Sequence, residues 1–381
     1  MNGRILEKTL QITKELVSYP SVSDQSNADV SQHVSDILSS IGFDVEAHSY
    51  IDAKGKKKVS LAAKRGSGTG GVCYLAHTDV VPAEDWSAGF CGPFEPTVVG
   101  ERLFGRGTCD MKGSLACALV AASQLDVTQQ TKPIYFVVTS DEEVGMFGAK
   151  QIDANSAYFQ EMVDGETVGI VGEPTKLSVI HAHKGGQRLS VIARGRSAHT
   201  STNDGINANY QLIPALQKLL DLRQESETNP RYSDSMFDPP TLSWNMTIAN
   251  EPEAMNVTPS LAQANIFIRT MPNVDHRPLL VGIEEICKQH GLEMALHDGL
   301  APWQVSPQSE WIQQMLQLVG QNNSYSVCFA TDAGILQRLK RLMVCGPGDI
   351  QQAHRSDEWI AIDQLARGVD VYQRAFQRWT T

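Results

Sequence analysis

Apolar residues recur along the chain with two different periods, and the alternation between them defines its elements. Leu6, Leu10, Ile12, Leu16 and Val17 share one face of a helix over Ile5–Val17, and Val30, Val34, Ile37 and Leu38 do the same over Asp24–Leu38. Short apolar runs at Val59–Ala63 and Val72–Ala76 read as strands, followed by an Ala- and Leu-rich helix over Lys112–Leu125. Pro133–Thr139 and Val168–Val171 are apolar without alternation, the pattern of strands covered on both faces. Strands alternating with helices predict an α/β layer around a mostly parallel sheet.

The texture changes near residue 180. Ser178–His183 and Gln187–Gly195 read as two strands joined by a hairpin-like turn at Lys184-Gly185-Gly186. A helix over Asn207–Arg223, strands at Leu242–Ala249 and Ala262–Arg269, and a helix over Asp275–Gln289 complete an α+β unit. Its predicted form is a four-stranded antiparallel sheet with both helices on one face. Beyond it the α/β pattern resumes, with helices at Glu310–Val319 and Asp363–Trp379 and a strand at Leu342–Cys345. The expected organisation is an α/β domain built from residues 1–180 and 296–381, with a second domain inserted over 181–295. A length of 381 residues accommodates two cores.

Composition narrows the function classes. Hydrophobic residues make up 41% and charged residues 20%, an ordinary globular balance, and a net charge of -11 argues against nucleic acid as the main partner. Seven cysteines are scattered, several inside apolar runs (Cys73, Cys117, Cys345), without a CxxC pair, which predicts reduced thiols and a cytoplasmic setting. Met1-Asn2-Gly3-Arg4 leads into a helical pattern rather than a signal-peptide core, and no apolar stretch is long enough to span a bilayer.

The chemistry concentrates at strand ends. His77 and Asp79 follow the apolar run Val72–Ala76, and positions i and i+2 of a strand point to the same side, so an imidazole and a carboxylate emerge together. Asp110 lies in the turn Gly107–Gly113, Asp141-Glu142-Glu143 ends the Pro133–Thr139 strand, and Glu173 ends the next one. His354 comes late, in Ala353-His354-Arg355-Ser356-Asp357-Glu358. Taken singly, Asp110 reads as a helix cap and the acidic run as an exposed loop. Their joint placement at the edge where α/β sheets bind ligands changes that reading. Two histidines and three or more carboxylates form a mixed N/O donor set suited to zinc or a similar ion. Five donors exceed what one catalytic ion takes, and two ions roughly 3.5–4 Å apart sharing a carboxylate account for them.

These motifs, with Ala182-His183-Lys184-Gly185, Asp204-Gly205 before Asn207-Ala208, and Gly346–His354, resemble those of the two-zinc aminoacylase and carboxypeptidase G2-like metallopeptidases, family M20, over nearly the whole chain. The resemblance implies a zinc-exopeptidase-like α/β catalytic domain carrying an inserted ferredoxin-like lid and dimerisation domain, in a homodimer. It implies two Zn2+ ions, replaceable by Co2+: His77 and Glu173 on one, Glu143 and His354 on the other, Asp110 bridging and followed by a cis peptide. Asp79 would orient His77, and Glu142 would be the general base. His199 would donate to the reacting carbonyl, often across the dimer. Arg269, Asn256 and Asp332 would bind substrate. Two positions depart from the family pattern: Phe267 stands where an acid is common, and Asn250-Glu251-Pro252-Glu253 replaces a Gly-Gly. The implied activity is hydrolysis of a small N-acyl amino acid, first N-acetylornithine. Succinyl-diaminopimelate desuccinylation and release of C-terminal glutamate are the alternatives, with an inactive binding protein ranked below them because every ligand and the base are present.

Overall fold

The computed structural model describes residues 3–381; Met1 and Asn2, part of the N-terminal segment read above, lie outside the described residues. Two compact units emerge. The larger holds the chain up to His181 with Val305–Tyr325 and Thr331–Thr381, and the smaller holds Ala182–Gln304 and Ser326–Ala330.

In the larger unit the strands Ile134–Thr139, Val72–His77, Val168–Pro174 and Arg341–Gly346 lie side by side and parallel. Lys57–Arg65 and then Asp44–Ile51 extend the sheet antiparallel beyond Ile134–Thr139. Every residue of the three strands Val72–His77, Ile134–Thr139 and Val168–Pro174 is buried, which explains their unbroken apolar pattern. Because they run parallel, their C-terminal ends open at one edge, with His77 level with Thr139. The helix Gly113–Ser123 is buried along its length to Ala122 and packs against the helix Ile362–Thr380. A hydroxyl chain ties these elements together: Tyr74 to Ser114 at 2.8 Å, Ser114 to Tyr372 at 2.8 Å, and Tyr372 donating to the Cys345 carbonyl at 3.0 Å.

The smaller unit has its own core. Its antiparallel sheet runs in the order Trp244–Glu251, Leu261–Ile268, Gln187–Arg194, Glu293–Leu296. Ala262, Ala264, Ile266 and Ile268 alternate inward beside Leu189, Val191 and Ala193. Leu212 and Leu219 of the helix Asn209–Thr228 and Leu279 and Ile283 of the helix Arg277–His290 cover that face.

The hairpin expected around Lys184-Gly185-Gly186 does not form. Ile180–His183 and Gln187–Arg194 are not partners: Trp303 and Gln304 pair with His183 and Ala182, while Gln187–Arg194 sits between two strands of the smaller sheet. The glycines serve a close backbone approach instead. Gly186 exchanges hydrogen bonds of 2.8 and 2.7 Å with Leu300, and a Cβ on Gly185 would lie 2.2 Å from the Leu300 carbonyl oxygen. Among the described residues all seven cysteines are unpaired, and no helix is long and apolar enough to cross a membrane.

Candidate metal centre

The strand ends of the larger unit bring five of the expected side chains into two overlapping groups. His77, Asp110 and Glu173 form one and Asp110, Glu143 and His354 the other, with donor atoms in each within 4.8 Å of one another. Asp110 belongs to both: Oδ1 lies 3.3 Å from His77 Nε2, and Oδ2 lies 3.5 Å from His354 Nε2. Glu173 Oε1 is 3.9 Å from His77 Nε2, and Glu143 is 3.1 Å from His354 Nε2. His77, Asp110 and Glu173 are buried, whereas His354 is about half exposed. The Asp110–Met111 peptide is cis.

The donor set fits divalent cations. A tetrahedral ion with bonds of ~2.0–2.2 Å holds its donors about 3.3–3.6 Å apart, close to the 3.1–3.9 Å separations here. The electrostatics are those of a cation site. Burial and the nearby Asp110 carboxylate push Glu173 well above the usual range, and burial with the Glu173 charge does the same to Glu142. Burial opposes a charge on His77, but hydrogen bonds to Asp110 and Asp79 hold its proton well above the ordinary imidazole range. The Glu143 contact raises His354. Carboxylates gathered this tightly are best neutralised by positive ions.

Asp79 does more than face His77. Its carbonyl oxygen is 2.9 Å from His77 Nδ1, while its carboxylate oxygen is 3.6 Å away. That carboxylate instead accepts the Glu142 amide at 3.1 Å, the Glu143 amide at 3.3 Å and the Ser23 hydroxyl at 2.7 Å. It therefore fixes the backbone of both neighbouring acids. Behind it, Asp141 accepts from the buried Lys58 ammonium at 2.7 Å and from the Tyr50 hydroxyl. Sequence reasoning passed over Ser23, Lys58 and Tyr50, because nothing in their local pattern marks a polar residue whose partner lies 35 to 91 positions away.

Asp332 is buried in the larger unit, with Oδ2 accepting from Thr139 at 2.6 Å and Oδ1 lacking a partner; burial raises its pKa to about 6. The remaining expected residues lie in the smaller unit. His199 is exposed, with Nδ1 2.6 Å from Ser201 Oγ, and Asn256 is its neighbour through the Thr200 amide, which donates to the Asn256 carbonyl at 3.2 Å. Arg269 follows the Leu261–Ile268 strand with its guanidinium 4.8 Å from the Phe267 ring centroid, so the departure at Phe267 supplies an aromatic face where an acid would supply a charge.

The family model for peptidase family M20/M25/M40 matches residues 73–378. Acetylornithine deacetylase of Pasteurella multocida is 31% identical, covering 93% of each chain, and that of Proteus mirabilis is 30% identical, covering 92% of this chain and 91% of its own. Among solved structures, a di-peptidase of Saccharomyces cerevisiae aligns with a TM-score of 0.77 at 16% identity, over 99% of this chain and 98% of its own. A dinuclear metal-binding peptidase of Bacillus subtilis aligns with a TM-score of 0.64 at 12% identity, over 100% and 99%. A family match over this much of the sequence makes the chain a hydrolase belonging to peptidase family M20/M25/M40.

Proposed function

We propose that the chain hydrolyses the amide bond of N-acetylornithine, releasing ornithine and acetate, with two divalent ions held by the strand-end acids and histidines. The observation that carries this reading is Asp110, whose two oxygens face separate histidine–carboxylate pairs. His77 and Glu173 would hold one ion and Glu143 and His354 the other, with Asp110 common to both groups. When bound, the ions supply Lewis acidity toward an amide carbonyl and an attacking water.

The chain's own residues do the rest. Glu142 takes the proton of the attacking water and returns it to the departing amine. Its burial beside Glu173, which raises its proton affinity, supports a group able to do both. Asp79 keeps Glu142 aimed through its backbone amide. His199 donates to the carbonyl oxygen as charge develops there. Arg269 and Asn256 take the substrate carboxylate, which a guanidinium binds through two parallel hydrogen bonds. Asp332, with one buried oxygen unpartnered, takes the ammonium of the ornithine side chain. The choice of acetyl and ornithine rests on the relatives named for that activity. The same likeness implies zinc and a homodimer, and the scattered unpaired cysteines fit a cytoplasmic setting.

The test is turnover of N-acetylornithine, succinyl-diaminopimelate and a glutamyl peptide by the purified, zinc-loaded chain. N-acetylornithine should be preferred, and Glu142→Ala should lower kcat by about 10²–10⁴-fold while retaining two ions per chain. Preference for another acyl group overturns the substrate. Loss of an ion in Glu142→Ala overturns the base.

A further inference from the structure

We infer that Glu358 is the positioning residue of the metal centre: its carboxylate grips the turn that carries Asp110 and ties it to the segment that carries His354. Glu358 is 1% exposed, and both of its oxygens are occupied by donors. Oε2 accepts the Gly107 amide at 2.9 Å and Arg106 Nη1 at 3.0 Å; Oε1 accepts the Cys109 amide at 2.8 Å and the Asp110 amide at 3.1 Å. Backbone amides converge this way because Gly107 is left-handed (φ 86°), and an αL residue followed by helical ones makes an anion-binding concavity. A side chain at Gly107 would also meet Val80 Cγ1 at 2.8 Å. The anion that fills the concavity is supplied by the chain itself.

The other end of the grip is equally fixed. The Gly105 amide donates to the Glu358 carbonyl at 3.0 Å, and Trp359–Ala361 pairs antiparallel with Arg102–Phe104. Glu358 stands four residues beyond His354, and the Ser87 amide holds the intervening Ser356 carbonyl at 2.7 Å. The buried Arg106 guanidinium matches the carboxylate charge and donates through Nη2 to the Pro82 carbonyl at 3.2 Å. Glu358 thus contributes no donor to either ion group but sets where Asp110 starts relative to His354. Since Asp110 is shared by both groups, a tilt of its backbone moves Oδ1 and Oδ2 together. All four partners of Glu358 are donors, so a carboxylate is required. An amide of the same shape turns an NH2 group toward donors and removes the charge facing Arg106.

The inference rests on the two-ion reading proposed above, and one titration separates the two. The full chain is stripped with chelator and titrated with Co2+ while its visible absorption, the melting temperature of the ion-free form, kcat and KM are recorded. Wild type should take up two ions. Glu358→Gln should bind at least one of them 10–100-fold more weakly, with an altered cobalt spectrum and a kcat that falls while KM holds. Arg106→Gln, which leaves the carboxylate in place, should shift the spectrum and the affinity in the same direction by less, and it serves alone if Glu358→Gln does not fold. A lower melting temperature with unchanged cobalt affinity and spectrum would make Glu358 a staple of the fold only and overturn the inference. Failure of wild type to take up two ions would overturn the two-ion reading and this inference with it.

Discussion

Replacing Lys58 by methionine removes the cation behind the strand end that leads into Glu142 and Glu143 while leaving its hydrocarbon volume. The Lys58 side chain is 1% exposed and that of Asp141 3%, and the ammonium donates to Asp141 Oδ1 at 2.7 Å and to the Ser23 carbonyl at 2.6 Å. Without it, Asp141 keeps the Tyr50 hydroxyl as a side-chain partner and the Ser23 carbonyl loses the Lys58 donor. Breaking a buried ion pair from one side costs about 3–5 kcal/mol. The Tyr50 hydrogen bond places this case near the lower end, and the orphaned carbonyl adds about 1 kcal/mol. Lys58→Met should therefore lose about 4 kcal/mol in urea denaturation at pH 7.5. Lys58→Met/Asp141→Asn, which removes the stranded charge, should recover more than half of it.

The pH dependence of that loss has a definite sign. Burial already raises the Asp141 pKa against the pull of Lys58, so the methionine variant raises it further above its unfolded value near 3.8. A carboxyl whose folded pKa is raised gains relative stability as pH falls and the proton goes on. The gap between wild type and Lys58→Met should narrow from pH 8 to pH 5. Because Asp141 precedes Glu142, the variant should also lose kcat before KM changes. A cost below about 1 kcal/mol, or a double variant no more stable than the single one, would refute the assignment of Asp141 as an ionised partner that Lys58 neutralises.

Further outcomes follow from other parts of the molecule. His183 is buried, its Nδ1 2.8 Å from the Lys184 carbonyl and Nε2 without a partner; burial lowers its pKa to about 4. The unfolded chain then takes up the proton first, so stability present above pH 6.5 is lost toward pH 4. Between pH 7 and 4.5 wild type should lose about 2.5 kcal/mol more than His183→Asn in urea denaturation, and parallel losses would refute this. Gly172→Ala should cost about 2–4 kcal/mol, since its Cβ would sit 2.1 Å from Tyr74 Oη and break the hydroxyl chain to Ser114 and Tyr372; an unchanged melting temperature would contradict it. Chelation should abolish turnover and lower the melting temperature. Zinc re-addition should release protons, because the ion-free centre raises the proton affinity of His77 and Glu173 well above that of the free groups; calorimetry in two buffers of different ionisation heat reads that number, and zero release would count against the ligand set.

What the sequence displays and what it conceals divide along a physical line. The parallel strands were legible because burial on both faces forces a continuous apolar run, as in Ile134–Thr139. The edge strand Asp44–Ile51 was not: it is half exposed, carries Asp44, Glu46 and His48, and is held by its register with Lys57–Arg65. The turn at Lys184-Gly185-Gly186 misled for a related reason, since glycine marks a close approach as readily as a reversal, and only the distant Leu300 decides which. At the centre, His77, Glu143 and Glu173 stand out because each follows or ends an apolar strand with a group that chemistry can use, whereas Asp110 in its glycine-bounded turn and His354 in a polar stretch stand out through the motifs around them. Their supports lack that contrast. Ser23, Lys58 and Arg106 sit in unremarkable polar stretches, and Glu358 is one acid among several after His354. Each acquires its role from a partner far along the chain, 252 residues away for the Arg106–Glu358 pair. A single sequence records such a pair as two unrelated polar residues, and burial is what turns them into one. The segments that aim the donors are therefore hidden in this chain, while the donors themselves are in plain view.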